Sequence, residues 1–257
     1  MKDKPTISAV MALYNEHDFV KDCLESVKWC DEIIVVDGSS TDNTVKIAKK
    51  FTDKIISTTN KPMFHINKQM AIDATTSDWI LQMDADERVT LGLRREIEDL
   101  IATDPKENGF WIPRANYFLG RFLKKGGQYP DYTIRLYRKG KGRLPCKTVH
   151  EQAEIDGEVG HLKRDLLHYA DPQFSRYIMR QNRYSTEEAE RIAKKYPKNS
   201  LFVFFKYFIW MPKWTFLKIY FRHKGFMDGF PGFVFALYSG LYFANAYVKY
   251  WELIHKK

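Results

Sequence analysis

The first 110 residues alternate between strand and helix patterns, and this alternation constrains the fold more than any other feature. Continuous apolar runs, typical of buried strands, are followed by segments whose apolar residues recur at helical spacing. The predicted strands are "TISAVMAL" (6–13), "EIIVVDG" (32–38), "KIISTT" (54–59) and "DWILQMDAD" (78–86), and the predicted helices cover 18–28, 39–51 and 65–75. Short connections between such segments predict an α/β fold, a mostly parallel sheet flanked by helices.

Acidic residues stand at the ends of two of these strands. Asp37 ends the second strand, and Asp84 and Asp86 end the fourth. Because ligands bind at the carboxyl ends of the strands in such sheets, we expect these carboxylates to line one crevice. Carboxylates this close repel each other and are costly to desolvate, so a positively charged partner is expected.

That partner is predicted to be a divalent cation, Mg²⁺ or Mn²⁺. Residues i and i+2 of an extended strand end point to the same side, so Asp84 and Asp86 can act together. Such a cation can bridge from carboxylates to a nucleotide diphosphate. The glycine-rich loops that cradle phosphates, GxxxxGK[ST] and GxGxxG, do not occur. A solvated acidic loop is the simpler interpretation of the same two residues.

The rest of the chain has a different pattern. Residues 108–170 combine strand-like runs with turn residues, which predicts further, mixed strands, and a charged helical segment follows. We therefore predict a first domain at 1–170 and a helical C-terminal extension at 171–257. Within the first domain, the half with alternating strands and helices would be about 1–110, and the half with mixed strands about 110–170.

The basic charge of the chain lies in its last third. Residues 1–175 hold 26 Lys and Arg against 27 Asp and Glu, whereas residues 176–257 hold 15 against 5. Residues 200–257 also hold 20 of the 39 aromatic residues, interleaved with lysines. This pattern is typical of a helix in the headgroup region of an anionic membrane, although a soluble aromatic core is the alternative.

Membrane spanning is a second possibility for this region. The uncharged stretch from Gly229 to Val248 has 20 residues and meets the length of one span, but Tyr, Asn, Pro and Gly interrupt it. The first residues of the chain show no secretory pattern, and the three cysteines of the chain have neither metal-ligand nor disulfide-framework spacing. These features together predict a peripheral or monotopic protein at the cytoplasmic face of the inner membrane.

Four motifs, taken together, resemble a known family. "MALYNEHDFVKDCLESV", "EIIVVDGSSTDNT", "NKQMAIDATTSDWILQMDADE" and "RLYRKGKGRLPCKTVHE" occur in the order found in family 2 glycosyltransferases, which have a GT-A fold. The resemblance covers roughly residues 5 to 155. Within the family, the chain is most similar to bacterial lipopolysaccharide-core β-glycosyltransferases. These often carry a GFxDGxxG element, and residues 225–232 here read "GFMDGFPG".

The resemblance implies roles for residues that match the family's motifs. Asp37 would accept hydrogen bonds from the uracil ring or the ribose, and Lys68 would touch the base or a phosphate. Asp84 would contact ribose and metal, and Asp86 would be the main metal ligand. Further contacts to the nucleoside would come from Ala12, Tyr14, Asn15 and Glu16. The alternatives are a strand-end cap for Asn15, a turn-forming Asp37 and a solvated Lys68.

The catalytic base is open between two carboxylates. An inverting transfer needs one carboxylate to take the proton of the acceptor hydroxyl. The family's "HE" step favours Glu151, with His150 beside the phosphates or the metal, and Asp131 is the second candidate. Arg135 and Arg138 follow Asp131, where either could contact phosphate or be a surface charge.

The predicted function is that of an inverting glycosyltransferase. It would move a sugar from a nucleotide-diphosphate sugar, expected to be a UDP-sugar, to a membrane-held glycan or glycolipid such as lipopolysaccharide core. A polyprenyl-phosphate sugar transferase is the alternative enzyme, since a phosphate acceptor needs no carboxylate base. The pI of about 9.2 suggests a nucleic-acid-binding protein. The balanced charge of residues 1–175 argues against that, so no nucleic-acid partner is predicted.

Overall fold

The computed structural model describes residues 4–147 and 151–255. Within these ranges the strands β1 to β12 are, in chain order, Ile7–Leu13, Glu32–Asp37, Ile55–Ser57, Trp79–Gln82, Glu87–Val89, Gly109–Phe118, Arg121–Phe122, Asp131–Arg138, Gly142–Arg143, Glu154–Ile155, Val159–His161 and Leu166–Asp171. The helices α1 to α8 are Val20–Val27, Thr44–Ala48, Phe64–Asp73, Leu91–Ala102, Phe174–Lys195, Leu201–Phe204, Met211–Leu217 and Gly229–His255. Two π-helical segments, Phe205–Trp210 and Lys218–Arg222, and a 3₁₀ turn, Gly225–Asp228, lie between the last three helices.

The chain forms two compact units. The first holds residues 1–114 and 131–168, and the second holds 115–130 and 169–257. Residues 115–130 thus group with the C-terminal helices, although they lie between two segments of the first unit. The predicted division into a catalytic domain and an extension at residue 170 stays a prediction.

The predicted parallel core of the sheet is confirmed. Strand β1 pairs in parallel with β2 and with β4, and β2 pairs in parallel with β3. Beyond β4 the strands β8 and β6 follow in antiparallel pairing, and the strand order is β3-β2-β1-β4-β8-β6-β12-β5. The sheet is therefore parallel at one end and mixed at the other, as residues 108–170 predicted.

Local patterns explain why these elements form. All six residues of β2 are buried, as expected for a strand with helices on both faces. In α1 the buried residues are Val20, Cys23, Leu24 and Val27, which recur at the helical spacing. The apolar sequence pattern thus fixes which side of each element faces the core.

One predicted strand ends earlier than expected. The fourth strand was predicted to run to Asp86, but β4 ends at Gln82. Residues 84–87 instead form a tight turn, in which the backbone N–H of Glu87 donates to the Asp84 carbonyl at 3.0 Å. The alternation of side chains along an extended strand therefore does not apply to Asp84 and Asp86. The argument that the strand geometry directs both carboxylates to one side was wrong.

The second unit has an aromatic, helical core. Val203, Tyr207 and Tyr247 are among its buried residues, which join α5, α6 and α8. The ammonium group of Lys249 on α8 donates to the side chains of Asn182, Ser185 and Thr186 on α5 at 2.7–2.8 Å. The predicted helical C-terminal region is thus confirmed.

Across the described ranges, no helix has both the length and the apolarity needed to cross a membrane.

Candidate active site

Three parallel strands bring the predicted site residues to one edge of the sheet. In the β1–β2 register Leu13 pairs with Asp37, and β4 lies on the other side of β1. The segment after β4 is tied to α1, because the Cys23 thiol donates to the Asp84 carbonyl at 3.3 Å. The carboxyl ends of β1, β2 and β4 therefore lie side by side at one edge of the sheet. The expectation that the carboxylates there line one crevice stays a prediction.

Asp37 is the last residue of β2 and lies at this edge of the sheet. Its carboxylate is buried, and its Oδ2 accepts from the Ser40 backbone N–H at 3.0 Å. Its Oδ1 is buried and finds no hydrogen-bond partner among the described residues. The Oδ1 of Asn67 on α3 is in the same situation, while its Nδ2 donates to the Thr59 carbonyl at 3.1 Å. Buried acceptors without donors are costly, so these two atoms are suited to a ligand that donates hydrogen bonds.

The loop after β1 is held by side chains of the neighbouring loop. Asn15 adopts a positive φ of 55°, its backbone N–H donates to Ser40 Oγ at 3.0 Å, and its Oδ1 accepts from the Thr41 backbone N–H at 2.8 Å. The backbone N–H of Glu16 donates to Thr44 Oγ1 at 2.8 Å. Asn15 thus organises the loop, as its capping interpretation predicted.

The other two predicted nucleoside contacts border this loop. Tyr14 is exposed, and Ala12 is the one residue of β1 that is not fully buried. Both are therefore accessible from the edge where the loop begins.

Two basic side chains hold Asp84. Lys68 Nζ contacts its Oδ1, and Arg135 Nη2 contacts its Oδ2. Burial alone would raise the pKa of Asp84, but Arg135 and then Lys68 lower that pKa well below its usual range. Asp84 is therefore ionised at neutral pH. The positive partners of Asp84 are thus two side chains of the chain itself.

The same arginine also pairs with a second, fully buried carboxylate. Arg135 Nη2 lies 2.8 Å from Glu87 Oε1, and Glu87 is 0% exposed. Burial would lower the pKa of Arg135, but Asp84 and Glu87 raise it above its ordinary value. The interpretation of Arg135 as a surface charge was therefore wrong. Arg138, by contrast, pairs at 2.8 Å with the exposed Asp104.

A β-bulge sets the position of Arg135. Along β6, Phe110 pairs with Leu136 and Trp111 pairs with Ile134, which leaves Arg135 as the extra residue on β8. Bulges next to functional sites commonly redirect a side chain. The guanidinium reaches the segment after β4 from a strand 51 residues further along the chain.

Asp131, the second candidate base, is tied to this cluster through Arg114. The guanidinium of Arg114 donates to Asp131 Oδ2 from Nη2 at 2.7 Å and from Nε at 3.1 Å. Its Nη1 lies 3.7 Å from Glu87 Oε1. A continuous set of charges therefore runs from Lys68 through Asp84, Arg135, Glu87 and Arg114 to Asp131.

Asp86 lies on the other side of the turn. Its Oδ1 is 3.7 Å from Nε2 of His168, and both side chains are largely buried. The turn itself is fixed by Arg88, which donates to the carbonyls of Ala85, Glu87 and Phe19 at 2.6–2.8 Å. Asp86 and His168 thus lie close to each other beside this turn.

A divalent cation fits this pair only as a partly protein-ligated ion. Within the described ranges no group of three or more His, Cys, Asp or Glu side chains could hold a metal. Asp86 supplies a carboxylate and His168 an imidazole, and Mg²⁺ is commonly bound by one or two carboxylates completed by water and substrate phosphates. The residues present therefore fit a metal that is completed by the diphosphate of a nucleotide.

Glu151, the first candidate base, is held by the loop that precedes it. Its two carboxylate oxygens accept from the Lys147 backbone N–H at 2.8 and 3.0 Å, and its Oε2 lies 3.8 Å from His65 Nδ1 on α3. His150, predicted beside the metal or the phosphates, lies outside the described residues.

Several residues at the site were not identified from the sequence. They are Asn67, His65, Glu87, Arg88, Arg114 and His168. A polar residue one position before Lys68 and an acidic residue directly after Asp86 were available as signals for Asn67 and Glu87. Arg114 and His168 come from distant strands, and no local pattern singled them out.

Comparison with known proteins identifies the family. Residues 8–152 match the model of glycosyl transferase family 2. The chain is 30% identical over 250 residues to the lipopolysaccharide core biosynthesis glycosyltransferase LpsC of Rhizobium meliloti strain 1021, with 94% of this chain and 90% of that protein covered. It is 31% identical to an uncharacterised glycosyltransferase of Rickettsia typhi, with 89% and 80% covered.

Among solved structures, a mannosyltransferase of Pyrobaculum calidifontis, crystallised with GDP-mannose and Mn²⁺, has a similar fold. Its TM-score is 0.57 at 12% sequence identity, and the alignment covers 97% of this chain and 88% of that one. At this identity the likeness concerns the fold, and the expected GT-A fold with its helical C-terminal region is confirmed. By its matched residues and by its relatives, the chain belongs to glycosyl transferase family 2 and is a glycosyltransferase.

Proposed function

We propose that this enzyme transfers a sugar, with inversion, from a nucleotide-diphosphate sugar to a membrane-held glycan or glycolipid acceptor such as lipopolysaccharide core. The observation that carries the proposal is the unsatisfied buried carboxylate oxygen of Asp37 at the same sheet edge as Asp84 and Asp86. The relative LpsC, which is named for lipopolysaccharide core biosynthesis, supports this acceptor class.

The donor is a nucleoside diphosphate sugar, and a UDP-sugar is the form we propose. Asp37 Oδ1 and Asn67 Oδ1 are buried acceptors suited to N–H and O–H donors of a base and a ribose. Asp84, kept ionised by Lys68 and Arg135, offers a second acceptor for ribose hydroxyls. Lys68 is the cation we assign to the base or the diphosphate.

We assign the metal to Asp86, with Asp84 and His150 as the other ligands predicted from the sequence, and we add His168 because it lies 3.7 Å from Asp86. When bound, Mg²⁺ or Mn²⁺ would offset the negative charge of the departing diphosphate. The chain's own contribution is to hold the Asp86 carboxylate in place, through the three backbone carbonyls bound by Arg88. The mannosyltransferase structure with GDP-mannose and Mn²⁺ supports a metal in this fold.

The base takes the proton of the acceptor hydroxyl while the hydroxyl oxygen attacks the anomeric carbon of the donor, on the side opposite the departing diphosphate. We propose Glu151 for this role, with Asp131 as the alternative. The Lys147 backbone N–H holds the Glu151 carboxylate in a fixed orientation. Asp131 is held instead by Arg114, which links it to the charged cluster around Asp84.

The acceptor is proposed to reach the enzyme at the cytoplasmic face of the inner membrane. Trp210, Trp214, Leu217 and Phe221 are exposed, and they recur at helical spacing in the second unit. Exposed Lys213, Lys218 and Arg222 accompany them, which is the pattern of an interfacial helix on anionic lipid. Binding to anionic vesicles that falls with salt would support this part of the proposal.

The test is a donor screen by product release, with UDP-, GDP- and dTDP-sugars and with Mn²⁺ or Mg²⁺. Asp86→Asn should lower turnover by about 100-fold or more, the usual cost of losing a group that stabilises developing charge. It should also abolish the metal dependence of nucleotide binding, measured by calorimetry.

The matched control is Asp99→Asn, the same chemical change at an exposed position on α4. This control should keep full turnover. Wild-type turnover in excess EDTA would contradict the proposal that Asp86 binds a divalent cation. An Asp86→Asn enzyme as active as the control would contradict it as well. Turnover of the donor without configuration change at the anomeric carbon would rule out inversion.

A further inference from the structure

Residues 221–230 form a sharp corner in the second unit, called the corner below. They include the first six residues of the GFMDGFPG motif, which spans 225–232. The corner consists of the end of the second π-helical segment, the 3₁₀ turn Gly225–Asp228 and the start of α8. A side chain at Gly232 would clash, because a Cβ there would lie 2.1 Å from the Gly225 carbonyl oxygen. Gly229 has a positive φ of 65°, in the region that favours glycine. The motif's glycines therefore allow the chain to fold back closely on itself.

Asp228 fastens this corner to the loop after β7. Its carboxylate is buried and accepts from the backbone N–H groups of Lys124 and Lys125, at 3.3 and 2.7 Å. Arg121 Nε lies 3.9 Å from its Oδ1, and Arg121 Nη2 donates to the Met227 carbonyl at 3.3 Å. Both carboxylate oxygens of Asp228 are therefore engaged in hydrogen bonds within the second unit, and its role in the motif is to fix the corner.

The corner presents large apolar side chains to solvent. Phe226, Met227 and Phe230 are 48%, 54% and 70% exposed, although they follow one another within five residues of a rigidly held turn. Arg222 and Lys224 precede them along the chain, Arg121 donates to the Met227 carbonyl, and all three cations are exposed. An apolar tip with neighbouring cations is the arrangement of side chains that enter a lipid headgroup layer.

The charge of the surrounding chain points to an anionic partner. Between Ile192 and Trp251 the sequence has nine Lys and Arg residues and one acidic residue, Asp228, which is buried. Exposed Trp214, Leu217 and Phe221 precede the three side chains along the chain, so the apolar side chains alternate with cations. A bilayer needs no complementary shape and gains from each apolar side chain that enters it.

We propose that this corner inserts into the headgroup region of an anionic membrane, in addition to the exposed residues Trp210, Trp214 and Leu217 that precede it along the chain. Phe226, Met227 and Phe230 enter the boundary between headgroups and acyl chains, and Arg121, Arg222 and Lys224 contact lipid phosphates. The inference rests on the proposed membrane-held acceptor, and it identifies further residues of the basic, aromatic C-terminal region that make the insertion.

The test compares two methionines of the second unit. Met227→Cys and Met179→Cys are made separately in the full chain with Cys30→Ser and Cys146→Ser, since the remaining Cys23 is buried. Met179 on α5 is 67% exposed and lies outside the corner, so it is the matched control. Each cysteine carries an environment-sensitive fluorophore, and vesicles are equimolar phosphatidylcholine and phosphatidylglycerol.

On vesicles, the probe at residue 227 should shift to shorter wavelength and be quenched by lipids with a spin label near the headgroup, and the probe at 179 should not change. Met227→Ser combined with Phe230→Ser should weaken vesicle binding by about tenfold or more, from the lost apolar burial, while Met179→Ser should not. Nucleotide-sugar binding should be the same in all of these proteins, so a failure of the donor assignment is recorded separately from a failure of the corner.

Equal responses at 227 and 179, or no response at either, would overturn the proposal. A response at 227 that needs no vesicles and grows with protein concentration would also overturn it, in favour of contact between copies of the chain.

Discussion

Replacing Arg135 should show how much the buried ion pairs at the site contribute to the free energy of unfolding. Arg135→Met keeps the length of the apolar stem but removes the guanidinium. Asp84 would then keep Lys68, but Glu87, which is 0% exposed, would lose its closest cation. Among the described residues, Glu87 would keep Arg114 at 3.7 Å and the hydrogen bond from the Asp84 backbone N–H at 2.9 Å. The variant would therefore leave a buried carboxylate poorly compensated.

The magnitude follows from this loss. Removing one partner of a buried ion pair costs about 3–5 kcal/mol, because the remaining charge stays desolvated. With a urea m-value of about 2 kcal/mol per M, the midpoint of unfolding should fall by about 2 M. Such a change is a large fraction of the 5–15 kcal/mol that holds an ordinary domain together.

The assay is urea unfolding followed by far-ultraviolet circular dichroism, with Arg138→Met as the control. Arg138 is on the same strand and pairs with the exposed Asp104, and it also donates to the Pro105 carbonyl and lies over the Trp79 ring. Its loss leaves no buried charge, so it should cost about 1–2 kcal/mol. Equal losses in the two variants would refute the reasoning. The same is true if Arg135→Met unfolds at the wild-type midpoint.

A double variant tests the cause. If the cost comes from the charge left on Glu87, then Glu87→Gln should return part of the stability lost in Arg135→Met. The two changes should therefore be less than additive, since both residues belong to one pair. Additive losses would show that the cost arises elsewhere.

The remaining predictions concern pH, donor binding and the base. Burial alone would raise the pKa of Glu32, but a lysine ammonium, two hydroxyls and a backbone N–H lower it from 4.5 to about 2. Its contribution to stability, about 1–2 kcal/mol because its partner Lys54 is 58% exposed and screened by solvent, is thus complete above pH 4.5 and lost towards pH 2. The stability gap between wild type and Glu32→Gln should therefore close over that range in urea titrations. A gap independent of pH would contradict this. Asn67→Ala should weaken nucleotide binding about threefold to tenfold by calorimetry, the value of one hydrogen bond, and unchanged affinity would remove Asn67 from the donor site. Glu151→Gln should lower turnover by about 10² to 10⁴ with donor affinity unchanged, whereas Asp131→Asn should lower it less. The opposite order would exchange the two roles.

The sequence was sufficient for features that depend on local pattern. Buried strands are continuous apolar runs and amphipathic helices repeat apolar residues at helical spacing, so the parallel core and its flanking helices could be predicted. The place of Asp37 and Asp84 at one edge followed, because the carboxyl ends of neighbouring parallel strands meet there. The family motifs added the glycosyltransferase activity, but not the partners of the charged residues.

Only the tertiary structure determined which charged side chains pair with each other. Asp84 and Asp86 lie in a turn rather than on a strand end, because β4 stops at Gln82. Arg135 reaches Asp84 from a distant antiparallel strand and through a bulge, and neither the pairing of β8 with β4 nor the bulge has a signal in the residues nearby. An ion pair depends on the distance between two side chains in space, whereas a sequence pattern records only their separation along the chain. The pattern of apolar residues therefore determined the sheet, and the packing of distant strands determined which cation faces each carboxylate.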